Sequence, residues 1–316
     1  MGTGKIGVEA QHELAFFRIS ISIFNEISLK MNTPTRSSAP RLIQCASPWS
    51  LEGHPSPRRE WTLERKVAAM KDAGFDGLAA IITPERRAMA EKFGLVVMGG
   101  FDGSSIKQAR TQILAQKALG VRLMNVQLLD HDTPPTVAAA MAVRLIALSD
   151  ELEVAVHIET HRDTSTETPE KYSEIARLFK KATGRLLPTT WDHSHFAVSK
   201  HVLPQDYSRR LLAWPKLIQS SQIFHLRPFN SQHCQVPVTN GRGRLTPEFR
   251  DYLTFVEDLL TLWLVGPRPG GELWVCPELG TSVGYNVSTN PPVWADAIRA
   301  RREYAGAWRR ALHRTG

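Results

Sequence analysis

Short apolar runs alternate with longer segments of helical periodicity along most of this chain. Leu42–Ala46 is one such run, and its length and composition are typical of a strand that is covered on both faces. In Thr62–Ala73, which follows it, Leu63, Val67 and Met70 recur at the spacing of one helix face. The alternation continues towards the C-terminus and predicts a regular series of strands and helices.

Threonine, proline and glycine mark where the predicted helices begin and end. Thr83, Thr168 and Thr246 each precede Pro-Glu, an arrangement that suits an N-cap residue with proline at the first helical position. Gly74 and Gly184 follow helical segments, at the position where a left-handed residue commonly ends a helix. These signals indicate where each helix gives way to the next strand.

Eight strand–helix pairs fit within residues 41–316, which predicts the α/β class and a single (β/α)8 TIM barrel. An open, doubly wound sheet also alternates strands and helices, but no glycine-rich nucleotide fingerprint follows the first strand. Residues 1–40 do not share the alternation, and Asn32–Pro40 is a polar, proline- and serine-rich linker. We therefore expect residues 1–40 to be an extension that is disordered or lies outside the core.

Composition narrows the class of protein. The 316 residues are 42% hydrophobic and 22% charged, and no apolar run is long enough to span a bilayer. Three cysteines without a CxxC pair favour a reducing compartment, so we expect a cytoplasmic protein. The net charge of +8 comes partly from arginines near the C-terminus, which we interpret as a solvated helix face and not as a nucleic-acid surface.

Ionisable residues stand at the ends of four predicted strands. The run VAVHIE leads to Glu159, TTWD leads to Asp192, QIFH leads to His225, and WVCPE leads to Glu278. Strand C-termini converge on one face of a barrel, so these side chains are expected to meet there. Left bare they would repel one another, and a divalent cation resolves that repulsion. The alternative is that each residue forms a separate ion pair at its own strand end.

The donor types define the predicted cofactor. Oxygen-rich, thiolate-free ligation with one nitrogen suits Mn2+, Mg2+ or Co2+ better than structural zinc. Four protein ligands leave open positions on a six-coordinate ion, enough for two adjacent substrate oxygens. We predict one divalent ion, Mn2+ in preference, held by Glu159, Asp192, His225 and Glu278.

Further polar side chains follow the predicted ligands. His161 and Arg162 stand at the top of the fifth strand and are predicted to contact the substrate, with Asp163 orienting one of them. Strand alternation places His161 on the same face as Glu159. A surface ion pair between Arg162 and Asp163 is the alternative. The same alternation gives His193 a packing role.

The order Glu159, Asp192-x-x-His195, His225, Glu278 resembles the xylose-isomerase-like TIM-barrel superfamily, in particular the branch of ketose 3-epimerases, hydroxypyruvate isomerases and inosose dehydratases. The resemblance covers most of residues 41–316. It implies that the four ligands bind one divalent metal, commonly Mn2+, and that both glutamates act as acid and base. It also implies that His195, expected on a loop, contacts substrate.

The same resemblance also concerns Arg227 and Ser165, which lie outside the ligand set. It implies that Arg227 helps to bind substrate hydroxyls. The epimerases usually carry a substrate-binding glutamate six residues after the first metal glutamate, where this chain has Ser165. The long segment Asn230–Gly243 also indicates a rebuilt pocket. We therefore expect the fold and the metal to carry over better than the substrate.

The predicted function is that of a divalent-metal-dependent isomerase or epimerase, which acts on a sugar or related polyhydroxy carbonyl compound through an enediolate. A lyase or dehydratase acting on a keto-sugar, keto-inositol or keto-glycoside could use the same site. A nuclease resembling the AP endonucleases is disfavoured, because the further histidines of a multi-zinc site are missing. A non-catalytic sugar-binding barrel remains a third class. We expect a small carbohydrate ligand and no nucleic-acid or membrane partner, and leave homo-oligomer formation open.

Overall fold

In the computed structural model, which describes residues 39–282, 284–287 and 289–316, eight parallel strands form a closed barrel in sequential order. The predicted (β/α)8 fold is therefore confirmed. The strands are β1 (Arg41–Ala46), β2 (Gly77–Ala79), β3 (Val96–Gly103), β4 (Leu123–Leu128), β5 (Ala155–Glu159), β6 (Thr189–Asp192), β7 (Ile223–His225) and β8 (Glu272–Cys276). Pairing of β1 with β8, with Arg41 opposite Glu272, closes the barrel.

Ten α-helices lie within the described residues and surround the strands. They are α1 (Leu63–Asp72), α2 (Pro84–Lys92), α3 (Ile106–Ala118), α4 (Pro135–Glu151), α5 (Pro169–Thr183), α6 (His193–Ser199), α7 (Tyr207–Leu211), α8 (Pro215–Gln219), α9 (Pro247–Leu264) and α10 (Val293–Thr315). The hydroxyls of Thr83, Thr168 and Thr246 accept hydrogen bonds from the third residue of the helices that they cap, as the Thr-Pro-Glu pattern predicts.

Apolar side chains fill the barrel on both sides of the sheet. One layer lies between the strands and the helices and contains large buried residues such as Trp263 and Phe179. A smaller cluster fills the inside of the barrel and consists of Ile43, Cys45, Met98, Leu123, Ile223 and Cys276. The inside is therefore packed below the strand ends, so polar chemistry is confined to the C-terminal rim.

The segment after β6 differs from its prediction. A helix, α6, begins at His193 where a loop was expected, because Asp192 Oδ1 accepts a hydrogen bond from the backbone N of Ser194 (2.9 Å) and caps it. Farther along the chain, residues 205–218 contain two short helices, α7 and α8. Pro215 begins α8, and its missing N–H and fixed φ favour the start of a new helix over continuation of the preceding one.

The long loop between β7 and α9 is tied to the last helix. Buried Asp296, in the first turn of α10, accepts hydrogen bonds from the backbone N of Val238 (2.8 Å), the backbone N of Thr239 (3.1 Å) and the Thr239 hydroxyl (2.8 Å). A buried carboxylate with three donors is well satisfied. This contact holds the loop that follows His225 in a defined position beside the rim.

Several C-terminal arginines are paired within the fold. Arg299 contacts Glu303 (2.7 Å), and Arg310 and Arg314 both contact Glu257, at 2.5 and 2.6 Å. These pairs balance part of the positive charge near the C-terminus. Within the described residues, no helix combines the length and apolar character needed to cross a bilayer.

The predicted N-terminal extension, residues 1–40, lies almost entirely outside the residues that the structure describes, which begin at residue 39. The barrel closes from Arg41 onwards. We therefore predict that a shortened protein beginning at Met31 folds and binds metal like the full chain. Circular dichroism and metal titration of the two proteins would check this, and an insoluble or metal-free shortened protein would contradict it.

Candidate metal centre

Four side chains meet at the C-terminal end of the barrel. Glu159, Asp192 and His225 are the last residues of β5, β6 and β7, and Glu278 lies two residues beyond β8. The β6–β7 ladder places Asp192 opposite His225, so both side chains stand at one level of the barrel. One donor atom from each residue lies within 4.8 Å of the donors from the other three. The structure therefore brings the predicted ligand set into a single cluster.

The cluster is buried and already hydrogen-bonded. His225 Nδ1 lies 2.7 Å from Glu159 Oε1 and 3.0 Å from Glu278 Oε2. The side chains of Glu159 and Asp192 are fully buried, whereas 17% of the Glu278 side chain is exposed. Glu278 is therefore the carboxylate that solvent or a ligand can reach.

Arg227 adds a buried cation to the cluster. It follows His225 by two residues, its Nε donates to Asp192 Oδ2 at 3.1 Å, and its Nη2 donates to Glu278 Oε2. Only 1% of its side chain is exposed, and Nη1 has no hydrogen-bond partner among the residues that the structure describes. The guanidinium thus joins two of the carboxylates, and one of its donors remains unused.

The charges of the cluster stabilise one another. Burial alone would raise the pKa of each carboxyl, but His225 outweighs it at Glu159 and lowers that pKa to about 2. A neighbouring histidine and Arg227 hold the pKa of Asp192 well below its ordinary value, and Arg227 and His225 lower the pKa of Glu278. Burial would lower the pKa of His225, but Glu278 and Glu159 raise it well above its ordinary value. Without a metal, these pKa directions favour ionised carboxylates and a protonated His225.

This donor set fits a divalent cation. Three ionised carboxylates beside Arg227 and a neutral His225 carry two net negative charges, which one divalent ion would balance. Carboxylate oxygens with one imidazole are ligands that Mn2+ and Mg2+ accept, and no thiolate lies in the cluster. The residues present are therefore suited in number, type and charge to a single divalent metal ion.

Two predicted substrate contacts, His161 and His195, lie together beside the cluster. His195 is on the first turn of α6 and not on a loop, and its Nε2 is 3.3 Å from Asp192 Oδ2. Burial lowers the pKa of His195, so the ring is neutral at pH 7. The ring centres of His161 and His195 are 4.2 Å apart, and His161 Nδ1 contacts the Arg162 carbonyl oxygen.

The expectation that Asp163 orients a substrate-binding neighbour is wrong. Its Oδ1 lies 2.8 Å from Nδ1 of His131, because a left-handed backbone at Asp163 (φ 59°) turns the chain. Arg162 instead places its guanidinium 4.4 Å from the centre of the Tyr285 ring and its Nη1 3.2 Å from Cys234 Sγ. The alternative of an Arg162–Asp163 ion pair is not formed either.

Tyr285 covers one side of the cluster. The guanidinium of Arg227 lies 4.3 Å from the centre of its ring, and Trp49 meets it edge-on with ring centres 5.0 Å apart. Gly280 lies so close to the Trp49 indole that an added Cβ would come within 2.0 Å of a ring atom. The segments after β1 and β8 are therefore fitted to each other, with no space for a larger residue at position 280.

A cavity of about 170 Å³ adjoins the cluster above β1–β4. Its small-residue wall is Ala79, Ala80, Gly99 and Gly100, its polar lining is Ser47, Asp102, Asn125 and Gln127, and it reaches His225, Cys276 and Glu278. Asn125 also donates from Nδ2 to Glu159 Oε2 at 2.6 Å.

None of the site residues predicted from the sequence lies on β1–β4. Asn125 and Gln127 could have been found from one signal, since they are polar residues at alternate positions of an otherwise apolar strand end. Because a polar residue on a strand commonly faces solvent, this signal becomes specific only when the barrel shows which face points inwards.

Comparison with known proteins supports the fold. No family model and no curated protein matches the chain. A xylose isomerase-like TIM barrel/4-hydroxyphenylpyruvate dioxygenase fusion protein matches with 15% identity and a TM-score of 0.56, over 87% of this chain and 44% of that one. This chain therefore spans less than half of the fusion protein.

Two further solved structures match over nearly their whole length. An L-ribulose 3-epimerase has 12% identity and a TM-score of 0.55, over 88% of this chain and 97% of that chain. A xylose isomerase-like TIM barrel protein from Mycobacterium smegmatis, in complex with magnesium, has 12% identity and a TM-score of 0.54, over 86% and 98%. This chain thus shares the TIM-barrel fold of these three proteins.

Proposed function

We propose that this protein is a divalent-metal-dependent isomerase or epimerase that acts on a sugar or related polyhydroxy carbonyl compound. The observation that carries the proposal is the buried cluster of Glu159, Asp192, His225 and Glu278, with donor atoms within 4.8 Å of one another. The match to an L-ribulose 3-epimerase supports the same substrate class. The match to a magnesium complex supports a divalent ion in the site, with Mn2+ proposed as the preferred one.

The two glutamates are proposed as the acid and the base. A divalent ion held by the four side chains would supply Lewis-acid chemistry, which withdraws electron density from a substrate carbonyl and acidifies the neighbouring C–H bond. One glutamate, as a carboxylate, accepts the proton from carbon, and the other, which has first taken a proton from solvent, donates it to the adjacent carbon or to the opposite face. The lowered pKa of each glutamate leaves a carboxylate that can accept a proton before substrate binds.

The two glutamates are not equivalent in their surroundings. Glu278 lines the cavity, whereas Glu159 is fully buried and is hydrogen-bonded to Asn125, which lines the cavity. We assign Glu278 the proton transfer on the side open to the cavity, and Glu159 the transfer on the buried side. Arg227, bonded to Glu278 and Asp192, would hold these carboxylates in place while its unused Nη1 binds a substrate hydroxyl.

A lyase or dehydratase reaction is the second candidate, and one observation favours it. Ser165 occupies the position where the resemblance to ketose 3-epimerases would require a substrate-binding glutamate. Its hydroxyl is buried and donates to the Leu128 carbonyl oxygen at 2.7 Å, so it does not replace that glutamate. The substrate contacts of an epimerase are therefore altered, and loss of water or of an aglycone after proton removal could use the same two glutamates.

Turnover in D2O tests the proposed function. The Mn2+-loaded protein would be incubated with ketoses, aldoses and keto-glycosides, and the products followed by proton NMR. An isomer or epimer that carries deuterium at the new C–H bond is expected, because the proton removed and the proton delivered belong to different glutamates. Deuterium uptake with loss of water or of an aglycone would favour the lyase. Absence of any conversion or exchange across these classes would contradict both.

Metal content gives an earlier test. After removal of bound metal and loading with Mn2+, we expect about one ion per chain, because the cluster offers four ligands to a single centre. Elemental analysis of the dialysed protein would measure it, with Asp192→Ala as the variant that should lose the ion. No bound metal after loading, or a stoichiometric three-zinc cluster, would contradict the proposal.

His161 is expected to matter for turnover more than for metal binding. It contacts His195 beside the cluster but supplies no donor to the set of four. His161→Ala should therefore lower the rate on the true substrate while the bound metal stays near its wild-type level. His313→Ala, an exposed histidine in the last turn of α10, is the control. A normal rate for His161→Ala would show that this histidine is a surface residue without a role.

A further inference from the structure

The cavity above β1–β4 is lined by only some residues of the cluster. His225 and Glu278 line it, but Glu159 does not. Its volume of about 170 Å³ is comparable to cavities of about 150 Å³ that hold a six-carbon ring such as benzene. Unlike those cavities it has polar walls, so it suits a small polyhydroxy compound. Glu278 lines this cavity and is 17% exposed, so a ligand in the cavity can reach it.

Asn125 stands where the cavity and Glu159 meet. The two carboxylate oxygens of Glu159 have different partners. Oε1 lies 2.7 Å from His225 Nδ1, and Oε2 accepts a hydrogen bond from Asn125 Nδ2 at 2.6 Å. The amide cannot be turned round, because its oxygen would then face an ionised carboxylate oxygen. Asn125 therefore fixes the rotation of the Glu159 carboxylate and directs Oε1 towards the other ligands.

The other end of the Asn125 amide lacks a hydrogen-bond partner in the described part of the chain. Asn125 Oδ1 is buried and has no hydrogen-bond donor among the residues that the structure describes. An unsatisfied buried acceptor destabilises a fold, so such groups persist mainly where function needs them. A residue that served only packing at this position could be apolar, as Leu123 is two residues earlier on the same face of β4.

We propose that Asn125 is a positioning residue for Glu159, at the wall of the cavity in which the substrate binds. It holds Glu159 Oε2 so that Oε1 faces the other three candidate ligands. The inference rests on the proposed function for its substrate, but its effect on metal affinity is independent of any substrate. Removing a partner that orients a metal ligand typically weakens metal affinity or activity by about 10–100-fold.

Mn2+ titration of metal-stripped protein by calorimetry tests the proposal, with Asn125→Leu and Asn125→Ala compared to wild type. We expect Asn125→Leu to raise the Mn2+ dissociation constant by about tenfold or more. Asn125→Ala should raise it less, because the space left can admit a water that donates to Glu159. A residue needed only for packing would give the reverse order, since alanine opens a cavity and leucine fills it.

Gln127 offers a matched control. It lies two residues farther along β4 and lines the same cavity, but it makes no side-chain hydrogen bond to the four ligands in the described part of the chain. Gln127→Leu should leave the Mn2+ dissociation constant near the wild-type value. If Asn125→Leu does not fold, Asn125→Ala against Gln127→Ala makes the same comparison. Equal Mn2+ affinity in the Asn125 and Gln127 variants would overturn the proposal.

The substrate experiment separates the two proposals. If the wild type binds Mn2+ but converts no polyhydroxy carbonyl compound, the proposed function fails, while the Mn2+ comparison still decides the role of Asn125. If a substrate is found, Asn125→Leu should lower kcat more than it changes KM, because it disturbs the proton carrier and not the cavity contacts alone. A change confined to KM would contradict the positioning role.

Discussion

Glu159→Gln and Glu278→Gln are each expected to lower turnover by about a hundredfold or more, the usual scale for the loss of an acid–base group. Glutamine keeps the size of the side chain and one oxygen donor, but it cannot accept a proton from carbon. Steady-state rates of the Mn2+-loaded variants would measure the loss. Because one oxygen donor remains, metal affinity should fall less than in Asp192→Ala, which removes a ligand outright.

The control for these variants is Glu272→Gln, which makes the same chemical change on β8. Glu272 is partly exposed and pairs with Arg41 at 3.1 Å, at the N-terminal ends of β8 and β1 and therefore at the other end of the barrel from the cluster. Its substitution should leave turnover unchanged. If the Glu159 and Glu278 variants kept near-full activity, and products formed in D2O carried no deuterium, the two-base mechanism would be ruled out.

Arg227→Met is expected to reduce the stability of the metal-free protein strongly. The substitution leaves the buried carboxylates of Asp192 and Glu278 without their shared cation, and removing one partner of a buried ion pair typically costs about 3–5 kcal/mol. For a domain of this size the melting temperature should fall by on the order of ten degrees. Calorimetric melting in the presence of a chelator would measure the change.

Added Mn2+ should then stabilise Arg227→Met more than it stabilises the wild type. The ion replaces the missing positive charge, and it no longer encounters the guanidinium beside its own site. Arg310→Met is the matched control, because Arg310 forms a half-exposed pair with Glu257, which is expected to contribute less than about 1 kcal/mol. Equal melting shifts for both variants, or an equal Mn2+ effect on Arg227→Met and wild type, would contradict the prediction.

Most of the fold could be predicted from local signals. The Thr-Pro-Glu starts and the buried strand runs depend on neighbours in sequence, and they fall where the structure has them. The prediction of a loop directly after β6 failed, because one side chain of the candidate site also determines the backbone there. Asp192 is both a candidate ligand and the cap of α6, so a helix begins directly at a strand end where a loop was expected.

Only part of the candidate site could be predicted from the sequence. Glu159, Asp192, His225 and Glu278 stand out because each is charged or titratable at the end of an apolar strand. Asn125 does not stand out, because an amide within a short strand has many ordinary roles and its partner Glu159 is 34 residues away. The position of Arg227 between two carboxylates likewise depends on the closed barrel and not on the spacing of residues.

Closure of the barrel has a consequence for how the protein is made. β1 pairs with β8, and Arg41 meets Glu272 across almost the entire described chain. Contacts of such high sequence separation form late in folding, and a ribosome releases β8 after all other strands. Glu278 follows β8, so the nascent chain lacks a complete ligand set until synthesis of the barrel is nearly finished. Completion of the candidate metal site is thus linked in time to the arrival of the last strand.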